Sequence, residues 1–102
     1  MNNNVCVGTG LVALDIILND NKKTEPLITA GGSCGNVLTI LSFLGWDSYP
    51  IARLDRSEAT QLILEDLTKN NVKTSLISKK EDGSAPIIIH RILTDRNGNP
   101  KH

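Results

Sequence analysis

A glycine-rich stretch that runs directly into an apolar helical pattern constrains this sequence most. Residues 30–36 read Ala-Gly-Gly-Ser-Cys-Gly-Asn, and glycine loses the most backbone freedom when a regular element orders it. The pattern predicts a bare-backbone turn that enters a helix, whose first N–H groups are open to a ligand. Gly45 stands where a helix commonly ends. The i, i+3, i+4, i+7 spacing predicts a buried face made of Val37, Ile40, Leu41 and Leu44.

Strand and helix patterns alternate along the chain. Residues 5–7 and 49–54 are short strand candidates, and 85–94 is the longest, rich in β-branched residues. Ser57 is placed to cap a second helix that ends at 70–71. This alternation predicts an α/β fold with a partly parallel sheet. The buried face of the second helix is predicted to comprise Ala59, Leu62, Ile63 and Leu67.

Asp15 interrupts an otherwise apolar run at residues 11–18. A carboxylate in such surroundings is costly to bury without a partner or a ligand. It is therefore a candidate binding residue, although an exposed turn carboxylate is the alternative interpretation.

Composition excludes several classes of partner. Eleven basic and eleven acidic side chains cancel, and the three aromatic residues all lie within 43–49. Neither a basic field nor a spread of stacking platforms is present, which argues against nucleic acid or an anionic membrane as the main partner. No apolar stretch approaches a membrane span or a signal peptide, so a cytoplasmic location is expected. Cys6 and Cys34 are expected to be reduced, buried thiols, with a disulfide as the alternative.

The C-terminal residues predict a hairpin. Asn97-Gly98 suits a tight turn with positive φ at both central positions, and a return strand should follow. Since few residues remain, we expect residues 1–102 to be an incomplete N-terminal portion of a single larger domain.

Pro50, which cannot donate to a strand ladder, is expected at a strand start or an edge.

In order along the chain come a first strand ending in glycine, Asp15, a Gly-Gly-x-x-x-Asn motif at 31–36, a Leu-Gly helix end at 44–45, and a strand. A second helix with Leu-x-x-x-x-Val at 67–72 and the final hairpin follow. This series resembles the N-terminal part of the ribokinase/PfkB family of sugar kinases. The resemblance implies a partial ribokinase-like α/β fold, a βαβαβ portion with lid strands.

The same resemblance implies a sugar or related polyol as the substrate. Asp15, Gly31, Gly32 and Asn36 match the positions that bind sugar in that family. An ionised carboxylate accepts hydrogen bonds from hydroxyl groups, and an amide both donates and accepts hydrogen bonds, which suits a neutral polyol. The lid strands often form a dimer contact, so a homodimer through them is implied.

Departures from the family pattern stand at two places. Ser33 occupies a position that is often lysine in ribokinases, and the turn at 54–57 lacks its usual glycine. The family's catalytic aspartate, its anion hole and its nucleotide pocket lie downstream of this sequence. ATP and Mg²⁺ are thus expected for a full-length kinase and no cofactor for this chain, which should not catalyse phosphoryl transfer alone.

Simpler interpretations accompany each of these residues. Gly31 and Gly32 could form only a tight strand-to-helix connection, and Asn36 could cap or solvate the first helical turn. His90, in an apolar strand, is expected to be a structural or surface residue. At the level of function, the alternative is a non-catalytic interaction module that dimerises through the exposed strands at 11–18 and 85–94.

Overall fold

Two helices and seven strands make up the part of the chain that the structure describes. The computed structural model describes residues 4–19, 25–94 and 100–101. In chain order the elements are β1 (Val5–Thr9), β2 (Ala13–Asn19), β3 (Leu27–Gly31), α1 (Gly32–Phe43), β4 (Asp47–Leu54), α2 (Glu58–Lys69), β5 (Ile77–Lys79), β6 (Ile87–Thr94) and β7 (Pro100–Lys101).

The strands form two sheets of different character. The parallel sheet has the order β1-β4-β5, and every neighbouring pair in it is parallel. Its strands are joined by crossovers that contain α1 and α2, as parallel pairing requires. The mixed sheet has the order β3-β2-β6-β7, in which β2 pairs antiparallel with β3 and parallel with β6. The predicted α/β alternation with a partly parallel sheet is confirmed.

The hydrophobic core joins the two helices to both sheets. Leu38 of α1 and Leu54 of β4 are each 2% exposed, while Ile63 and Leu67 of α2 are fully buried. The core cluster comprises Val12, Leu14, Ala30, Cys34, Leu38, Leu54, Ile63, Leu67 and Val72. Because Leu14 and Ala30 lie at the base of the mixed sheet, this cluster holds the end of β3 against the helices.

The predicted buried face of α1 was wrong. Val37 and Ile40 are 56% and 58% exposed, Leu44 is 70% exposed, and only Leu41 packs against the core. The face that is buried carries Cys34, Gly35 and Leu38. Since apolar residues lie on both sides of α1, periodicity alone could not select the packed side. The helix also begins earlier than predicted, at Gly32, and Gly45 follows it with φ of +92°.

The start and end of α2 were predicted correctly. The Ser57 side chain accepts a hydrogen bond from the Thr60 backbone N–H, and Asn70 caps the C-terminus. The predicted buried face is right for Ile63 and Leu67, but Leu62 is 42% exposed and Thr60 is buried in its place.

Pro50 lies within β4 and not at its start. There β4 has β1 as its ladder partner, with Pro50 opposite Gly8, while pairing with β5 begins only at Ala52. Because β4 is the central strand of the parallel sheet, the expectation of a strand start or an edge was wrong. Proline is tolerated here because β4 pairs on one side only at this residue.

The predicted return strand is present as β7. Its two residues pair antiparallel with β6, Lys101 opposite Leu93 and Pro100 opposite Thr94. The predicted turn at Asn97-Gly98 lies outside the described residues. Within the part of the chain that the structure describes, no helix is long and apolar enough to cross a membrane.

Candidate functional site

The paired glycines lie where the mixed sheet passes into α1. Gly31 ends β3 opposite Ala13 of β2, and Asp15 stands opposite Thr29. A Cβ atom at Gly31 would overlap the Asp15 carboxylate. Glycine at this position therefore makes room for the Asp15 side chain, and the structure brings these two predicted site residues together.

Gly32 is required by a second close approach. Its φ is +80°, and a Cβ atom there would lie 2.5 Å from the backbone oxygen of Leu11. An L side chain would meet both the strain of a left-handed backbone and a clash. The connection from β1 to β2 thus crosses directly over the entrance of α1.

That connection changes the expectation for the helix N-terminus. The N–H of Cys34 donates to the Leu11 carbonyl oxygen at 2.9 Å, and the N–H of Gly35 does so at 3.4 Å. The Leu11 carbonyl thus takes two N–H groups of the first turn, and that of Cys34 is one of the four that a helix leaves unpaired at its start. The prediction that this whole first turn is open to a ligand was wrong, because the chain's own loop occupies part of it.

Asp15 is held in surroundings that satisfy it poorly. Its side chain is 14% exposed, and Oδ2 lies 3.8 Å from Nε2 of His90. Oδ1 is buried and has no hydrogen-bond partner among the described residues. A buried acceptor without a donor costs about 1–3 kcal/mol, and more when it is charged. The carboxylate keeps 14% of its surface exposed, where a ligand can donate a hydrogen bond to it.

Asn36 lies one turn into α1 and is exposed. It lines a groove of about 600 Å³ between β3, α1 and α2. Thr29 and Ala30 of β3 also line this groove, and Thr29 lies opposite Asp15 in the sheet. The fourth predicted residue thus borders the adjoining groove, with its amide available to donate and accept. Other residues of the groove are Leu27, Ile28, Thr39, Ile40, Asp66, Lys69 and Asn70.

Asp66 is a residue of this region that sequence reasoning missed. Its Oδ2 accepts a hydrogen bond of 2.8 Å from the backbone N–H of Ala30, 36 residues away in sequence. This bond ties the end of β3 to α2 immediately before the paired glycines. No local pattern could have indicated it, since an aspartate on a helix is ordinarily a solvated residue.

The turn after β4 is internally satisfied. Asp55 accepts hydrogen bonds from the backbone and side chain of Ser57 and from the side chain of Thr60. The Ser57 hydroxyl, followed by that of Thr60, lowers the pKa of Asp55 below its ordinary value. Asp55 here stabilises the start of α2, in a turn that lacks the glycine of the family pattern.

Cys6 and Cys34 are both free thiols, as predicted. Both line a small, mostly apolar pocket of about 270 Å³ between β1 and α1. Burial raises the pKa of the Cys34 thiol, and the neighbouring Cys6 adds to the effect. Cys34 thus has the properties of a packed, unreactive thiol, whereas Cys6 is only half-buried. Among the described residues, no group of three or more His, Cys, Asp or Glu side chains could hold a metal ion.

Comparison with known proteins identifies the architecture. No family model matches the sequence, and no curated protein matches it. Solved structures do match. Aminoimidazole riboside kinase from Salmonella enterica aligns with a TM-score of 0.71 and 19% identity over 97% of this chain and 31% of its own. It has also been solved with aminoimidazole riboside and an ATP analogue.

Two fructokinases are similar in the same way. The Halothermothrix orenii enzyme gives a TM-score of 0.69 at 21% identity, over 97% of this chain and 37% of its own. The Vibrio cholerae O395 enzyme gives 0.74 at 17% identity, over 98% and 33%. The chain thus spans about a third of the length of the structures it matches. It has the fold of an N-terminal portion of the ribokinase/PfkB sugar kinases, as the sequence resemblance implied.

Proposed function

We propose that this chain is the sugar-binding N-terminal portion of an ATP-dependent carbohydrate kinase that phosphorylates a sugar hydroxyl. Asp15, Gly31, Gly32 and Asn36 are its sugar-binding residues. The observation that carries the proposal is the Asp15 carboxylate, which is packed against Gly31 and keeps a buried oxygen without a donor among the described residues.

Polyol chemistry fits this arrangement. The Asp15 carboxylate accepts hydrogen bonds from hydroxyl groups, and the Asn36 amide, which can donate and accept them, lines the neighbouring groove. A site of this kind selects for hydroxyl groups, because an analogue that lacks them leaves its polar atoms unpaired. The unpaired N–H groups that remain at the start of α1 would lie beside the sugar, while Leu11 occupies those of Cys34 and Gly35.

Phosphoryl transfer itself would need groups beyond these residues. ATP and Mg²⁺ would be held by additional polypeptide that supplies the nucleotide pocket and the catalytic aspartate, as the family resemblance implies. This chain's share of the reaction is to bind and orient the acceptor sugar.

The test is a titration of the 102-residue chain with D-ribose and D-fructose, followed by amide NMR shifts. We expect sugar-dependent shifts at residues 29–36 that are lost in Asp15→Asn and weakened in Asn36→Ala. Asp82→Asn is the matched control, because Asp82 is an exposed carboxylate paired with Arg53. Equal binding by Asp15→Asn and the wild-type chain would refute the site.

A second candidate function is a non-catalytic module that dimerises through the lid strands of the mixed sheet. Ile28, Ile16 and Ile89 are opposite one another in register and share one face. Ile28 is 47% exposed and Ile89 is 63% exposed. A row of isoleucines across three strands, half-buried at Ile16 and exposed at both ends, suits association with a second copy.

Light scattering after size exclusion tests this second function. We expect a dimer for the wild-type chain that Ile89→Lys dissociates, while Leu76→Lys, in an exposed loop, leaves it intact. A wild-type monomer at high concentration would refute dimerisation without affecting the sugar site.

A further inference from the structure

His90 of β6 lies next to the Asp15 carboxylate of β2, the adjacent strand of the mixed sheet. The parallel register places Ile17 opposite His90 and Asp15 opposite Ile88. Side chains two residues apart on a strand share a face, so Asp15 and His90 project from the same side of the sheet as diagonal neighbours. Nε2 of His90 lies 3.8 Å from Oδ2 of Asp15, and the imidazole is 51% exposed.

The separation of the two atoms suits a third oxygen between them. It is too long for a direct hydrogen bond. An oxygen placed about 2.8 Å from each atom can bond to both. That oxygen would donate a hydrogen bond to Oδ2 of Asp15 and accept a hydrogen bond from Nε2–H of His90. A hydroxyl can do both at once, whereas an ether oxygen can only accept.

We propose that His90 is a specificity-determining residue of the sugar site, where it and Asp15 together select one hydroxyl that donates and accepts simultaneously. The inference rests on the proposed function, since a polyol supplies the hydroxyl. A hydrogen atom or an ether in place of that hydroxyl leaves the carboxylate without a donor, and discrimination follows from the unpaired charge. Thr29, opposite Asp15 on β3, lies on the same face and borders this site.

The pairing can be tested without any sugar, through the NMR signals of the His90 ring. The sequence has two histidines, and His90→Gln assigns the signal. We expect the ring ¹H and ¹⁵N shifts of His90 to move in Asp15→Asn and to stay in place in Asp82→Asn. Ring signals that do not respond to Asp15→Asn would refute the pair, whether or not the chain binds a sugar.

The specificity is tested by titrating D-ribose, D-fructose and their monodeoxy analogues into the chain. Loss of one uncharged hydrogen bond corresponds to a roughly three- to tenfold weaker affinity, which we expect for His90→Ala. His90→Gln keeps a donor and should remain within about twofold of wild type. Arg91→Ala is the control, since Arg91 is the exposed next residue on the opposite face and should bind as wild type does.

One monodeoxy sugar should bind more weakly to the wild-type chain and lose nothing further in His90→Ala, because that analogue already lacks the hydroxyl that His90 contacts. Sugar binding that is lost in Asp15→Asn but unchanged in His90→Ala would overturn this proposal and leave the proposed function standing. Absence of binding by the wild-type chain would overturn the proposed function and the sugar specificity together, and the ring signals would still decide the pair.

Discussion

The contact between Gly31 and Asp15 makes a quantitative prediction about stability. The Gly31 backbone has φ of −146°, outside the left-handed region that favours glycine. The cost of Gly31→Ala should therefore come from the overlap of the new Cβ with the Asp15 carboxylate. Forcing an added methyl group into a packed site costs about 1–3 kcal/mol. We expect Gly31→Ala to lower the free energy of unfolding by that amount.

A cycle with Asp15→Ala isolates the cause. Asp15→Ala alone should be neutral or stabilising, because it removes a buried oxygen that has no donor among the described residues. The double variant should recover most of the loss caused by Gly31→Ala, with a coupling energy of about 1–2 kcal/mol. The assay is urea unfolding followed by the fluorescence of Trp46, the single tryptophan.

Gly35→Ala is the matched control within the same glycine-rich stretch. A Cβ atom there would meet nothing within 4 Å, and alanine in a helix is favoured over glycine by about 0.5–1 kcal/mol. Gly35→Ala should thus stabilise the chain while Gly31→Ala destabilises it. Equal stabilities for the two single variants, or a double variant whose losses simply add, would refute the packing of Asp15 against Gly31.

Three further predictions concern the support of the site. Ser57→Ala should lower the unfolding free energy by about 1 kcal/mol in urea titrations, since it removes the cap of the Thr60 N–H. The pKa of Asp55 is lowered in the folded protein, so ionised Asp55 stabilises the folded state. This stabilisation is fully present at pH values above the ordinary pKa of 3.8, and it is lost as the pH falls through the lower pKa of the folded protein. Asp55→Asn should flatten that acid limb of stability, and an unchanged pH profile would contradict the assignment. Leu67→Ala, at a fully buried position, should cost about 2–5 kcal/mol. Leu62→Ala, at a 42% exposed position on the same helix, should cost about 1 kcal/mol or less, and similar melting temperatures for the two variants would contradict the packing of α2.

Local sequence signals were sufficient to predict most of the helices and strands and to name the residues of the candidate site. The glycine-rich stretch before an apolar run predicted the entrance of α1, and Ser57 predicted the start of α2. Asp15 was recognisable because a carboxylate in an apolar run needs a reason to be there. Each of these inferences depends on neighbours in sequence, where backbone preferences and solvation are decided.

Contacts between distant segments decided the rest. The sequence could not show which apolar side of α1 would be buried, since that depends on the sheet that packs against it. It could not show that the Leu11 carbonyl takes two N–H groups of α1, or that Asp66 holds the Ala30 N–H. Nor could it place His90 beside Asp15, because the register of β2 against β6 depends on a crossover that contains most of the chain. The residues of the proposed site could thus be named from the sequence, whereas the contacts around them form only when separate segments pack.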